Sequence, residues 1–211
     1  ILSVDTATDE VEIFAYVDNV PNTIDLSPDG KVLYVSSRGR NNPESYHLIG
    51  PEWGSIAVID TATGEYLDAI IGGNQPTGLD VSPDGTMLAV ASDDGGCIIL
   101  NSTTGALIVD LINNNNTTSD IFAIAWSNDG SRVISHAGGI GVKWYHTSNW
   151  TMERNMTSLP SYTSGIDTTP DDRLVIFVSG NQLRGYWSNN GTIALNMTNH
   201  TEYIRALTVS P

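Results

Sequence analysis

A turn sequence of four residues recurs along this chain, each time between the same two kinds of predicted strand. Its copies read Ser-Pro-Asp-Gly at 27–30 and 82–85, Ser-Asn-Asp-Gly at 127–130 and Thr-Pro-Asp-Asp at 169–172, and a fifth begins at Ser210. Successive copies start 55, 45, 42 and 41 residues apart. Pro presets the backbone at the second turn position, and Asp and Gly favour the positions after it. The chain therefore repeats one structural unit about every forty residues.

Each repeat contains four short runs of β-forming residues, which we call strands a, b, c and d. In the first complete unit they fall at 23–26, 31–35, 55–60 and 65–70, and a second tight turn at 61–64 separates c from d. A period in roughly the low forties with four strands per unit predicts an all-β fold, a β-propeller of four-stranded blades.

We expect four complete blades, at about 22–71, 77–111, 121–157 and 164–198. Strands c and d of another blade fall within 1–16, and the start of a further blade falls at 203–211. Because a propeller closes on itself, we expect this chain to be an excerpt of a larger propeller of about six to eight blades.

Segments of the chain resemble two known kinds of repeat. The sequence Asp-Thr-Ala-Thr-Gly at 60–64, followed by Gln-Pro-Thr-Gly-Leu-Asp-Val-Ser-Pro-Asp-Gly at 75–85, resembles the YVTN family of surface β-propeller repeats, and residues 5–8 and 33–37 fit the same consensus. Residues 200–211 resemble the opening of a WD40 repeat. The resemblance covers nearly the whole chain and implies the fold. Both families are functionally diverse, so it implies little about activity.

The net charge and the cysteine count exclude several kinds of partner. Asp and Glu number 24 against 9 Lys and Arg, which gives −15. Such a surface repels nucleic acid phosphates and anionic lipid, so we predict no nucleic acid partner. The sequence has no run of about 18 apolar residues, so we predict no membrane span in this segment. Cys97 stands alone in an apolar strand and is interpreted as a small buried hydrophobe.

The second strong signal is the glycosylation sequon Asn-x-Thr. With 18 Asn and 21 Thr in the 211 residues, random placement gives about two such triplets. The chain has eight, at Asn101, Asn115, Asn116, Asn149, Asn155, Asn190, Asn196 and Asn199. They predict N-linked glycans and an extracellular or cell-surface location, and with the acidity and the single Cys they favour an archaeal surface protein. The alternative is that Asn and Thr are simply good turn residues.

One connection is much longer than its counterparts. The b–c connection of the first blade, at 38–54, contains Arg38, Arg40, Tyr46, His47 and Trp53. Variable loops on a rigid scaffold often bind partners, and these residue types are common in binding hot spots. We predict a possible binding loop there, with a self-packed insertion as the alternative.

No catalytic residue, metal ligand set or cofactor is predicted. The sequence has no nucleophile elbow, zinc-protease motif or Cys-x-x-Cys. The glycines at 138–141 and the acidic turn at 93–96 are interpreted as hairpin turns, and Trp126, Trp144, Trp150 and Trp187 as packing between blades. Asp25, Asp80 and Asp167 recur on strand a, which lines the central channel. They could hold a cation, or they could accept hydrogen bonds from the neighbouring backbone.

The sequence therefore favours a non-enzymatic, N-glycosylated extracellular propeller that contacts a protein partner or assembles with itself in a cell envelope or filament. The alternative is a propeller enzyme or oxidoreductase subunit with its site on the central axis. Propellers of related repeat type include lactonases and quinoprotein- or haem-linked subunits, so the resemblance implies this alternative. The sequons argue against a third option, an intracellular scaffold.

Overall fold

The computed structural model describes residues 1–17, 20–38, 54–73, 75–92, 96–111, 121–137, 141–156 and 163–210. These residues form eighteen β-strands and, within the described ranges, no helix. In chain order β1 to β18 are Leu2–Val4, Val11–Ile13, Pro21–Leu26, Val32–Ser37, Ser55–Asp60, Tyr66–Ile71, Pro76–Val81, Met87–Ser92, Cys97–Asn101, Leu107–Asp110, Ile121–Trp126, Arg132–Ala137, Gly141–His146, Met152–Met156, Gly165–Thr168, Leu174–Ser179, Gln182–Trp187 and Ile193–Met197.

The strands form four antiparallel sheets of four strands each, β3–β6, β7–β10, β11–β14 and β15–β18, and β1 pairs with β2 in a separate hairpin. Within each four-stranded sheet every strand pairs with the next one along the chain. This up-and-down order is that of a propeller blade, and it confirms the predicted all-β fold of four-stranded blades. Residues 203–210 run beside β15 without forming a strand.

The recurring turn between strands a and b is held by its own side chains. In the first copy the Ser27 hydroxyl donates to Asp29 Oδ1 at 2.7 Å, and the Lys31 N–H donates to the same oxygen at 3.1 Å. The Val32 N–H donates to Ser27 Oγ at 2.9 Å. The same set of contacts recurs in the other three copies. Every contact spans at most five residues, so the tetrapeptide specifies its turn locally.

The core lies between the sheets. One cluster joins Ala89 and Ile99 of the second sheet to Trp126 and Tyr145 of the third. Another joins the third sheet to the fourth, where Trp144 meets Phe177 edge to face with ring centroids 6.2 Å apart. Neighbouring sheets thus bury one another's faces, as the blades of a propeller do. The packing interpretation of Trp126 and Trp144 is confirmed.

Candidate functional site

The inner strands β3, β7, β11 and β15 line one cavity, together with the extended segment at 205–208. Its volume is about 620 Å³, within the usual range for small-molecule sites. Arg38 and Arg205 also line this cavity, which we call the central channel.

The three recurring channel aspartates each tie one inner strand to the next inner segment along the channel. Asp25 Oδ2 accepts the N–H of Val81 at 2.7 Å, and Asp80 Oδ2 accepts the N–H of Trp126 at 2.5 Å. Asp167 Oδ2 accepts the N–H of Val209 at 2.6 Å. The backbone-bonding alternative is therefore the role that the structure shows. Among the described residues no group of three or more His, Cys, Asp or Glu side chains is placed to hold a metal ion.

Asp80 carries the most perturbed carboxyl of the channel. Burial, followed by the negative charge of Asp25 beside it, raises the pKa of Asp80 well above its ordinary value, and a side-chain hydrogen bond with Asp25 acts in the same direction. The Trp126 N–H opposes this shift because it donates to the ionised form. Burial and the charge of Asp25 therefore favour the protonated form of Asp80.

The third inner strand lacks this aspartate, since Ala125 stands at its position. The turn beyond it supplies another link. Asp172 accepts hydrogen bonds from the N–H groups of Asn128 and Asp129 at 2.7 and 2.8 Å, and Asn128 Nδ2 donates to Thr168 Oγ1 at 2.9 Å. Sequence reasoning missed this contact. The sequence does contain a signal for it. Apart from one Ser-to-Thr exchange, the four complete turns depart from Ser-Pro-Asp-Gly at only two positions, Asn128 and Asp172, and these lie in adjacent copies.

The predicted binding loop falls almost wholly outside the described residues. Arg40, Tyr46, His47 and Trp53 lie there, as do the turns at 93–95 and 138–140. Arg38 is described, is half-buried and reaches the channel, where its Nη2 donates to Gln75 Oε1 at 3.2 Å. The loop therefore stays a prediction, while Arg38 belongs to the channel.

Three sequon asparagines lie in c–d turns. Asn101 Oδ1 accepts the N–H groups of Thr103 and Thr104 at 3.0 and 2.8 Å. Asn149 Oδ1 accepts the Thr151 N–H at 3.0 Å and its hydroxyl at 2.7 Å, and Asn190 makes the same pair of contacts with Thr192. These Asn side chains act as turn residues through Oδ1. The glycan-bearing atom, Nδ2, donates no hydrogen bond to the described residues.

The remaining sequons lie on the rim. Asn155 on β14 stands opposite Lys143, and Asn196 on β18 stands opposite Arg184, so the two occupy one equivalent position in consecutive blades. Both are exposed, as is Asn199 beyond β18. Asn115 and Asn116 fall outside the described residues. The predicted rim placement thus agrees with the structure wherever it is described, and modification itself stays a prediction.

Other titratable residues are accounted for by packing. Cys97 is fully buried, and burial raises the pKa of its thiol to about 12, so it stays protonated. His136 is fully buried in the third sheet, whereas His146 and His200 lie elsewhere and are accessible. In the described part of the chain no helix has the length and apolarity that crossing a bilayer requires.

Comparisons with known proteins agree with this architecture. The family described as the Anaphase-promoting complex subunit 4 WD40 domain matches residues 72–129. The fold of the Kuenenia stuttgartiensis Hydrazine Synthase is similar with a TM-score of 0.69 at 18% identity, covering 88% of this chain and 51% of that one. At that identity the likeness shows the fold alone. The chain is a β-propeller repeat protein.

A curated relative matches about a third of the chain. Antigen Lp49 from Leptospira interrogans serogroup Icterohaemorrhagiae serovar copenhageni is 56% identical over 72 residues. The match covers 34% of this chain and 16% of the antigen, so most of that protein lies outside it. The family match indicates WD40-like repeats at residues 72–129.

Proposed function

We propose that this protein is a non-enzymatic, N-glycosylated extracellular β-propeller of the YVTN type that contacts a protein partner or assembles with itself at the cell surface. The observation that carries the proposal is the repetition of sequons at two equivalent positions. Asn149 and Asn155 in the third sheet recur 41 residues later as Asn190 and Asn196 in the fourth. All four are exposed.

The turn function of Asn149 and Asn190 explains why Asn suits those positions, but it does not explain Asn155 and Asn196. The latter two lie on outer strands, where β-propensity disfavours Asn. A glycan on an outer strand would cover an exposed sheet edge and oppose edge-to-edge aggregation. Selection for glycan attachment accounts for all four positions together.

Mass spectrometry of peptides from the native protein tests the proposal. We expect a glycan mass on Asn155 and Asn196 and on at least one of the two turn sites. Asn189 is the matched control, because it is exposed in the same turn as Asn190 but has Gly191 where a sequon needs Ser or Thr. Unmodified Asn at all eight sequons, or a glycan on Asn189, would contradict the proposal.

The cell-surface and archaeal assignments rest on the sequons, the net charge of −15 and the single Cys. Because Lp49 comes from a bacterium, a bacterial surface protein is the competing origin.

Light scattering of the glycosylated protein distinguishes self-assembly from binding to a separate partner. Self-assembly raises the measured mass with concentration, whereas a protein that needs a separate partner stays monomeric.

A second candidate is a propeller enzyme or oxidoreductase subunit, lactonase-like or quinoprotein- or haem-linked, with its site on the central axis. The central channel of about 620 Å³ favours it, and Hydrazine Synthase shows that an enzyme can contain this fold. Metal analysis and an absorption spectrum of the native protein test it. Stoichiometric metal, haem or quinone would support the enzyme over the surface role.

A further inference from the structure

The central channel has two chemically different ends. One level of the channel is that of Asp25, Asp80 and Asp167, and Asp80 directly precedes Val81, whose N–H donates to Asp25. Val209 donates to Asp167 in the same way, so Thr208 lies at the aspartate level. Arg205 lies four residues before Val209, just as Thr77 lies four before Val81. Arg205 is thus three residues, or about 10 Å, away from the aspartate level along an extended chain.

Direct contacts confirm where Arg205 lies. The Ser164 hydroxyl donates to the carbonyl of the preceding residue, Ile204, at 2.6 Å, and Ser164 stands just before β15. The Arg205 side chain is exposed and makes no ion pair within the described residues. It lines the channel where the inner strands begin.

Arg38 lies at the same end. Its backbone N–H donates to the carbonyl of Val20 at 3.1 Å, and Val20 directly precedes β3. Its guanidinium donates to Gln75, which directly precedes β7. Arg38 therefore bridges the starts of two neighbouring inner strands.

Both residues that hold Arg38 have strained backbones. Val20 has a φ of 59° and Gln75 a φ of 52°, and each is followed by proline. A β-branched residue rarely adopts the left-handed region, and a following proline restricts the backbone further. Strain of this kind is kept where surrounding structure holds a group in place, and here Val20 contacts the Arg38 backbone while Gln75 contacts its guanidinium.

We propose that Arg38 and Arg205 form an anion site at this end of the channel and that its ligand is a small organic carboxylate. The protein has nine Lys and Arg against 24 Asp and Glu, yet two of the nine line one cavity. A guanidinium binds a carboxylate through two parallel hydrogen bonds. The uncharged side chain of Asn22 lines the same end and can hydrogen-bond the rest of the ligand.

The aspartate level explains why the ligand is small. Carboxylates about 10 Å further along repel an anionic group that extends to their level, so the favourable field covers the arginine end alone and excludes a longer dianion. The volume of about 620 Å³ admits such a molecule with room for an apolar body. The site does not depend on the sequons, so unglycosylated protein suffices to test it.

Titration calorimetry with succinate as the probe tests the site. The key variant is Arg205→Gln, because this exposed side chain holds no part of the fold. The matched control is Arg173→Gln, which removes the same charge from a side chain that stacks on Trp187 outside the channel. We expect Arg205→Gln and Arg38→Gln to weaken succinate binding about tenfold or more, and Arg173→Gln to change it less than about twofold.

Three results would overturn the proposal. One is no binding of succinate to the unmodified sequence up to about 10 mM, well above a weak millimolar Kd. Another is equal weakening in Arg205→Gln and Arg173→Gln, which would indicate a general charge effect. The third is tighter binding of inorganic phosphate than of succinate with the same dependence on Arg205, which would replace the carboxylate class by phosphate.

Discussion

The N–H of Asn128 donates a 2.7 Å hydrogen bond to the carboxylate of Asp172, and this bond joins two turns that are 44 residues apart. Asp172 has a φ of 54°, where the other three copies of the turn have glycine. The chain thus keeps a strained aspartate at a glycine position because its side chain links two blades. The link lies between the third and fourth sheets, where Ala125 stands at the position that an aspartate occupies in the other inner strands.

Restoring the glycine should therefore destabilise the protein. Asp172→Gly relieves the left-handed strain but removes bonds to the N–H groups of Asn128 and Asp129, so we expect a net loss of about 1–2 kcal/mol in the free energy of unfolding. Urea denaturation measures it. Asp9→Gly is the control, because Asp9 has a similar φ of 59° and its side chain makes no hydrogen bond within the described residues. That variant should be as stable as the parent or more so; equal losses in both would refute the link.

Removing the charge of Asp80 should stabilise the fold at neutral pH. Its folded pKa is raised, so its contribution to stability is present below the unfolded pKa of about 4 and is lost as the pH rises through the folded pKa. Asp80→Asn keeps an oxygen to accept the Trp126 N–H and cannot ionise. We expect a Tm about 2–4 °C higher at pH 7, and no gain at pH 3.

Asp167→Asn is the control for Asp80. Asp167 makes the same kind of bond, to the Val209 N–H, but its charge raises the pKa of Asp80 less than the charge of Asp25 does, so we expect a smaller gain in Tm. Calorimetric scans at both pH values compare the variants. A Tm gain in Asp167→Asn equal to that in Asp80→Asn would show that the effect is not specific to the Asp25–Asp80 pair.

The recurring turns should lose stability in acid. The Ser27 hydroxyl, the Lys31 N–H and the Lys31 ammonium lower the pKa of Asp29 to about 2, and similar bonds lower the pKa of Asp84, Asp129 and Asp171. A lowered folded pKa gives stability that is present above the unfolded pKa of about 4 and is lost as the pH falls towards about 2. We expect Tm to fall steeply over that interval.

Asp29→Asn should make this fall shallower, since one of the four groups no longer titrates. Glu202→Gln removes an equal charge outside the turns and should leave the profile unchanged. Scans from pH 6 to about pH 2 compare the slopes. Identical slopes in the parent and in Asp29→Asn would show that the turn carboxylate is not linked to folding.

Two glycines with the same backbone conformation should respond differently to alanine. Gly30 and Gly64 have φ values of 70° and 71°. A Cβ at Gly30 meets nothing within 4 Å, whereas one at Gly64 would lie 2.2 Å from the carbonyl oxygen of Phe14. Gly30→Ala should cost about 1 kcal/mol, the left-handed penalty alone.

Gly64→Ala adds a steric clash that has to displace the segment after β2, and we expect a cost of about 2–4 kcal/mol in total. Chemical denaturation of the two variants gives the comparison. If both lose the same free energy, Phe14 does not pack against this turn, and the placement of the β1–β2 hairpin beside the first sheet is wrong.

The fold could be predicted because its signals are local. Each Ser-x-Asp turn is closed by contacts within five residues, so Ser27, Ser82, Ser127 and Thr169 mark the a–b turns from the sequence alone. The sheets then follow from the strand pattern between the turns. The segment at 203–210 has the pattern of an inner strand but does not form one, because a strand requires a paired neighbour as well as a pattern.

The repeat, the four-stranded units and the positions of the sequons are readable from the amino acids alone, since each of these depends on residues close together in the chain. The contacts between side chains of different blades depend on three-dimensional packing. Asp80 reaches Trp126 across 46 residues, and Arg38 shares a cavity with Arg205 although they are far apart in sequence. Such contacts depend on how the sheets stack, and stacking is set by the summed burial of many apolar side chains, which no single motif encodes.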